Sequence, residues 1–255
     1  MLIAGTQEFM LFSLILMRMS GFIFLNPVLG RRNIPSIAKT GMALALTILI
    51  YFVAEGTELN IGSPLEFGLL LLKEFVIGYF LGFVMVLFEF AVTYAGSIAD
   101  FMMGLSMSTV YDAQNGIQVA LTGNILQIYF ILLFFAVDGH LALMNILVTS
   151  ADIVPYGQIA IGSEVTQAVI EIFCRCVELA VKLVFPLIAI ELLMDIGTGI
   201  LMKIIPQINL FVLSIQMRVI LGIIMMLLLI SPIGDFLGDL IGEMMRAVQH
   251  MLTTV

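Results

Sequence analysis

Charge is what this chain has least of. Asp, Glu, Lys and Arg make up 11% of its 255 residues, where about 25% is usual for a soluble domain. Basic charge is scarcer still, with 10 Lys and Arg against 18 Asp and Glu. That excludes a nucleic-acid partner, whose recognition needs a basic patch to displace counterions. There are only two cysteines, Cys174 and Cys176. C-x-C spacing on a helix sends the two side chains to different faces, so they read as packing residues and no disulfide framework is expected. His140 and His250 stand far apart, and no H-E-x-x-H, G-x-S-x-G, P-loop or G-x-G-x-x-G occurs. Without these signatures the chain reads as a non-enzyme, and no cofactor or metal is implied. The opening MLIAGTQEFMLF lacks a positively charged n-region and a small-residue cleavage site, so it reads as the start of the first helix.

Apolar residues are what it has in excess, at 62%, against about 45–50% in soluble domains. A globule of this size leaves too much surface exposed to hide them from water, so an integral membrane protein of all-α class is predicted. A spanning helix needs about 20 apolar residues, and six stretches come close: 9–29, 37–54, 64–95, 124–149, 164–203 and 210–230. The third and fifth run to about 30–40 residues, roughly 45–60 Å at 1.5 Å per residue, whereas a hydrocarbon core is only about 30 Å thick. They are either kinked helical hairpins, with Pro186 as a kink in the fifth, or helices that leave the bilayer. The tail, 232–255, is amphipathic. Phe236, Leu237, Leu240, Ile241, Met244, Met245 and Val248 recur at helical spacing while Asp235, Asp239 and Glu243 form another face, which predicts an interfacial or partner-binding helix. The whole of 1–255 is read as one membrane-embedded domain.

The few charges carry the most information, because each ionisable residue left in hydrocarbon costs about 2.5–3.5 kcal/mol even on the mildest scale. Arg18, Lys73, Glu74, Glu89, Asp138, Glu171, Arg175, Glu178, Lys182, Glu191, Asp195 and Arg218 all fall in apolar stretches. They must pair, face a polar lumen, or lie outside lipid. Glu171, Arg175, Glu178 and Lys182 form an alternating-sign helical stripe, expected as a solvated or partner-facing face rather than a proton relay. Glu191 and Asp195 repel at i, i+4 and need partners from elsewhere, which favours an assembly. Gly78-x-x-x-Gly82 and Gly234-x-x-x-Gly238-x-x-x-Gly242 are spaced for close helix approach. The connector 100–124, DFMMGLSMSTVYDAQNGIQVALTGN, is neither charged nor plainly helical. It carries Met102, Met103 and Met107, whose side chains adapt to irregular shapes, and a turn-like Asp112-Ala113-Gln114-Asn115-Gly116. A connector of this length is more often functional than a spacer.

Three segments then suggest a family. LMRMSGFIFLNPVLGRRNIPSIAKTGMALAL near the start, the YDAQNG segment, and ELLMDIGTGILMKIIPQINLFVLSIQMRVILG at 191–222 together resemble the FliR family of flagellar and type III secretion export gates. Pro206-Gln207-x-Asn209-x-Phe211 is the most specific match. Gln216 and Arg218 stand where family members often carry proline and lysine, and Arg218 keeps the charge. The resemblance implies a multi-pass subunit of the bacterial inner membrane, in the flagellar basal body. It would be built of bent helical hairpins and join FliP- and FliQ-like subunits and an FlhB-like switch protein. Together they would form a gated channel for unfolded flagellar export substrates. It also implies a plug in the closed pore, which by position falls on Ser106, Met107, Ser108, Thr109, Val110, Tyr111, Asp112, Ala113, Gln114, Asn115 and Gly116, running on to Gln118. Assembly contacts would fall on Glu191, Asp195, Gly199, Pro206, Gln207, Asn209, Phe211 and Arg218. A competing reading is a secondary transporter or channel for a small solute, using Glu89, Glu191 or Asp195 as ion sites. A transporter can work alone, whereas a gate subunit cannot.

Overall fold

A computed structural model describes residues 2–31, 34–53, 63–105, 110–112, 117–157, 162–204 and 210–254. They form helices α1 (Leu2–Leu25), α2 (Ser36–Val53), α3 (Pro64–Met102), α4 (Leu121–Ala136), α5 (Gly139–Ile153), α6 (Ser163–Ile204), α7 (Leu210–Leu228) and α8 (Ile230–Thr254). Between α3 and α4 lie two short strands, β1 (Val110–Asp112) and β2 (Ile117–Val119). The protein is therefore all-α in class, with one small hairpin inside the connector.

The helix ends follow from local chemistry. Pro27 cannot continue α1, and Asn26 Oδ1 accepts the amides of Val28 and Leu29 at 2.9 and 2.8 Å. The Lys39 ammonium then holds the Gly30 carbonyl at 2.7 Å. The stretch 124–149, expected as one span, is two helices. The break falls at Val137–Asp138, where Asp138 takes a left-handed φ of 56°; Asp tolerates that conformation better than most residues. No hairpin forms at Pro186: α6 runs unbroken through it for 42 residues. α3 is likewise a single helix of 39 residues, about 58 Å long at 1.5 Å per residue.

Six hydropathy stretches translate into fewer candidate spans. Among the described residues three helices are long and apolar enough to cross a membrane, Gln7–Leu25, Ser36–Val53 and Pro64–Met102. The number rises to five if the pairs α4–α5 and α7–α8 each count as one broken span. Exposed apolar residues such as Leu49, Phe52, Leu65, Leu69 and Leu72 are those of a chain built for a lipid environment.

The residues group into two compact units. The first comprises Met1–Leu87, Asp138–Phe173 and Gly242–Val255. Its core joins Leu14, Ile15, Met19 and Phe22 of α1 to Ile77, Leu81, Val84 and Met85 of α3, with Leu143 and Leu147 of α5 and Met244 and Val248 of α8. α1 and α3 meet on glycines: a Cβ at Gly78 would overlap the Arg18 carbonyl, one at Gly21 the Phe75 carbonyl, and one at Gly82 would lie 2.8 Å from the Phe22 carbonyl. Only bare backbone fits there. The Gly78/Gly82 spacing thus marks a real seam.

The second unit comprises Phe88–Val137 and Cys174–Ile241. Phe88, Val92, Ala95 and Ala99 of α3, Leu126, Phe130 and Phe134 of α4, Leu183, Val184 and Leu187 of α6, and Ile233, Leu237 and Leu240 of α8 are among its buried apolar residues. The Gly234/Gly238/Gly242 series is not a seam. Gly238 and Gly242 have open space where a Cβ would stand, and Gly234 meets only the Tyr129 ring and hydroxyl. α8 has the periodicity expected of 232–255, but its apolar face is already covered within the protein. Leu237, Leu240, Ile241, Met244 and Val248 are buried while Asp235 and Asp239 are exposed. Phe236 and Met245, on the same face, are only part-buried.

Candidate functional site

The connector between α3 and α4 is fixed at both ends. α3 closes as Met103 N–H donates to the Ala99 carbonyl at 2.9 Å, and Gly104 turns the chain with φ 74°. A side chain at that φ would be strained, so glycine is required. Where the chain returns, the Thr122 amide of α4's first turn donates to both carboxylate oxygens of Asp100, each at 3.2 Å. Ala120 offers α4 no side-chain cap. Asp100, buried on the last turn of α3, thus supplies the anion that a helix start favours. One turn earlier the backbones touch, since a Cβ at Gly96 would overlap the Cα and N of Gly123.

Between these anchors the chain folds back on itself. β1 and β2 pair antiparallel, with Val110 opposite Val119, Tyr111 opposite Gln118 and Asp112 opposite Ile117. Of the expected plug residues, Val110, Tyr111 and Asp112 form β1, while Ser106, Met107, Ser108, Thr109, Ala113, Gln114, Asn115 and Gly116 lie outside the described residues. The turn-like sequence at 112–116 starts on β1 with Asp112.

The expected assembly residues come together in part. The Arg218 guanidinium on α7 pairs with the Asp195 carboxylate on α6 at 2.6 Å. Asp195 therefore finds a cation inside this chain. Glu191 is 2% exposed, and neither of its carboxylate oxygens has a hydrogen-bond partner among the described residues. Its Oε1 faces Gly222 of α7. Gly199 is exposed with open space around it. Phe211 opens α7, and Pro206, Gln207 and Asn209 lie outside the described residues.

The remaining charges resolve largely by pairing. Glu178 bridges Arg175 and Lys182 at 2.8 and 2.6 Å on an exposed face, and Glu171 accepts from Gln167 at 3.1 Å. That is the ion-paired face the spacing predicts. Glu89 accepts from Gln127 at 2.6 Å. The pair that sequence spacing does not reveal is in the first unit. Arg18 Nε donates to Glu74 Oε2 at 2.7 Å, with both side chains fully buried. Arg18 also reaches the Ser150 hydroxyl at 3.2 Å and the Val154 carbonyl at 3.0 Å, and stacks 4.2 Å from the Tyr156 ring centroid. Glu74 Oε1 accepts the Gly157 amide at 3.0 Å. Burial pushes the Tyr156 phenol further above its ordinary pKa, so it presents a neutral ring to the cation.

Asp100, Gly96, Gly123 and Gly222 were not singled out by sequence. The available signal was an acid at the start of the connector and a glycine near its end. No group of three or more His, Cys, Asp or Glu able to hold a metal occurs among the described residues.

Helices long and apolar enough to cross a membrane, with apolar side chains exposed along them, mark an all-α membrane protein. The chain belongs to the bacterial export proteins, family 1, whose family model matches residues 9–244. It is 27% identical over 248 residues to the flagellar biosynthetic protein FliR of Bacillus subtilis (strain 168), covering 96% of this chain and 95% of that protein. It is 28% identical over 238 residues to the FliR of Escherichia coli (strain K12), covering 93% and 91%. The secretion system apparatus protein SsaT of Salmonella typhimurium is 26% identical over 196 residues, 76% of each chain.

Proposed function

We propose that this chain is a subunit of the flagellar type III protein export gate of the bacterial inner membrane. As one membrane-embedded domain it forms, with FliP- and FliQ-like subunits and an FlhB-like switch protein, the gated channel that passes unfolded flagellar proteins. The observation that carries this reading is the end-to-end likeness to proteins named flagellar biosynthetic protein FliR. The shorter reach of the match to SsaT favours the flagellar over the virulence system. The chain transports rather than catalyses. The connector 106–118 acts as the plug of the closed channel, and its doubly anchored hairpin suits a segment that must stop a pore yet move as a unit. Glu191, Asp195, Gly199, Pro206, Gln207, Asn209, Phe211 and Arg218 serve assembly.

The solute-transporter reading has less support, because two of its three candidate ion sites, Glu89 and Asp195, are bonded to Gln127 and Arg218. The test is co-expression with FliP- and FliQ-like partners. A stable complex should purify, and its reconstitution with residues 110–116 deleted should raise ion leak across the membrane. A chain that purifies and transports a small solute alone, or a deleted gate that stays tight, would overturn the reading.

A further inference from the structure

Within the second unit, α4 and α8 leave between them an open groove of about 440 Å³, in the size range of sites that hold a ligand. Tyr129, Leu133 and Val137 follow one another at four-residue spacing along one wall, and Asp235 and Asp239 at the same spacing along the other, with Gly238 between the walls. The α4 wall is about 12 Å long, two helical turns. Tyr129 covers Gly234, but a Cβ at Gly238 would meet nothing within 4 Å, so the backbone of α8 is bare there. Asp235 and Asp239 are both exposed, and neither makes a hydrogen bond or ion pair with another described residue. Like charges four residues apart on a helix repel. The nearby cations are committed, since Arg175 and Lys182 serve Glu178 and Arg218 serves Asp195. An apolar wall facing two unpaired carboxylates complements a segment with apolar side chains and a cation, whereas the same carboxylates repel lipid phosphates.

We propose that this groove is the docking site for a helix of a neighbouring gate subunit, which lays apolar side chains on Leu133 and Val137 and sets a lysine or arginine against Asp235 and Asp239. The bare backbone at Gly238 lets that helix approach closely, a use that packing within this chain does not give it. The inference rests on reading the chain as a gate subunit.

The experiment co-expresses the full chain with its FliP- and FliQ-like partners and, in parallel, melts the isolated chain in detergent. Gly238→Leu fills the groove from a position whose Cβ meets no atom of this chain. It should not lower the melting temperature of the isolated chain, and it should cut the yield of co-purified partner severalfold. Asp235→Lys combined with Asp239→Lys should cut the yield as far. Asp235→Glu combined with Asp239→Glu keeps both charges and should retain most of it. A benzophenone side chain placed at Val137, which is half exposed, should on illumination attach to a partner subunit within a helical turn of a lysine or arginine.

Groove variants that assemble at full yield overturn the docking site. So does a probe at Val137 that attaches only to lipid, to this chain itself, or to a partner segment without a basic residue. Where Gly238→Leu lowers the melting temperature of the isolated chain, the aspartate variants and the probe decide. An unaltered chain that co-purifies with no partner removes the gate reading, and the docking site with it. A complex that forms equally well with and without the groove substitutions removes the docking site and leaves the gate reading standing.

Discussion

Arg18 of α1 and Glu74 of α3 form an ion pair at 2.7 Å with no exposed surface on either side chain, and every part of it is supported. The guanidinium spends its other donors on Ser150 and Val154 and its face on Tyr156, while the carboxylate's second oxygen takes the Gly157 amide. The pair ties two apolar helices to the turn that follows α5. Burying these two charges is tolerable because each has the other as its partner.

Removing one member should therefore cost far more than removing both. Arg18→Met or Glu74→Gln is expected to destabilise the protein by about 3–5 kcal/mol, the usual cost of orphaning a buried charge. Arg18→Met combined with Glu74→Leu should recover part of the loss. Thermal unfolding in detergent, arranged as a double-mutant cycle, measures the coupling.

Glycine substitutions should split by sign. At Gly41 a Cβ meets nothing, so Gly41→Ala should stabilise by roughly 0.5–1 kcal/mol through helix propensity. Gly78→Ala places its methyl on the Arg18 carbonyl and should destabilise, because backbone cannot yield as a side chain can. Melting temperatures of the two variants should move in opposite directions.

Asp100→Ala removes the acceptor of the Thr122 amide. A lost helix cap costs about 0.5–2 kcal/mol, and here it falls on the return end of the connector. Faster hydrogen exchange at the first turn of α4 and a higher ion leak are expected together. Asp100→Asn, which keeps an acceptor, should show less of both.

Glu191 and Asp195 should respond differently to neutralisation. Asp195→Asn breaks a half-exposed pair with Arg218, worth no more than about 1 kcal/mol. Glu191→Gln relieves a buried carboxylate with no hydrogen-bond partner, so the isolated chain should gain stability while co-purification with partner subunits weakens. Equal effects of the two substitutions on the isolated chain would contradict this assignment.

Hydropathy placed the helices well where apolar runs end in a strong breaker. The expected 37–54 became Ser36–Val53, and 210–230 became Leu210–Leu228. It failed where a breaker was embedded: Asp138-Gly139 splits an otherwise continuous apolar run, and two residues of turn chemistry outweighed the average around them. Of the two readings offered for the fifth stretch, the hairpin at Pro186 is excluded, since one helix of 42 residues runs through it. The need for charge pairing was legible, and so was the ion-paired stripe on α6, because i, i+3 and i, i+4 spacing is local. Which partner Arg18 takes was not, since 56 residues separate it from Glu74 and no periodicity spans that distance. Likewise the connector could be recognised from its composition. Its anchor, Asp100 on Thr122, depends on how two helices pack.

That separation of 56 residues also has a meaning in time. Chains are synthesised at about 5–20 residues per second, so Glu74 emerges roughly 3–11 s after Arg18. For that interval α1 carries a cation with no counterion, at a cost of about 2.5–3.5 kcal/mol if it lies in hydrocarbon. The arrival of the third helix removes that cost, so the first helix reaches its full stability only once the third has been made.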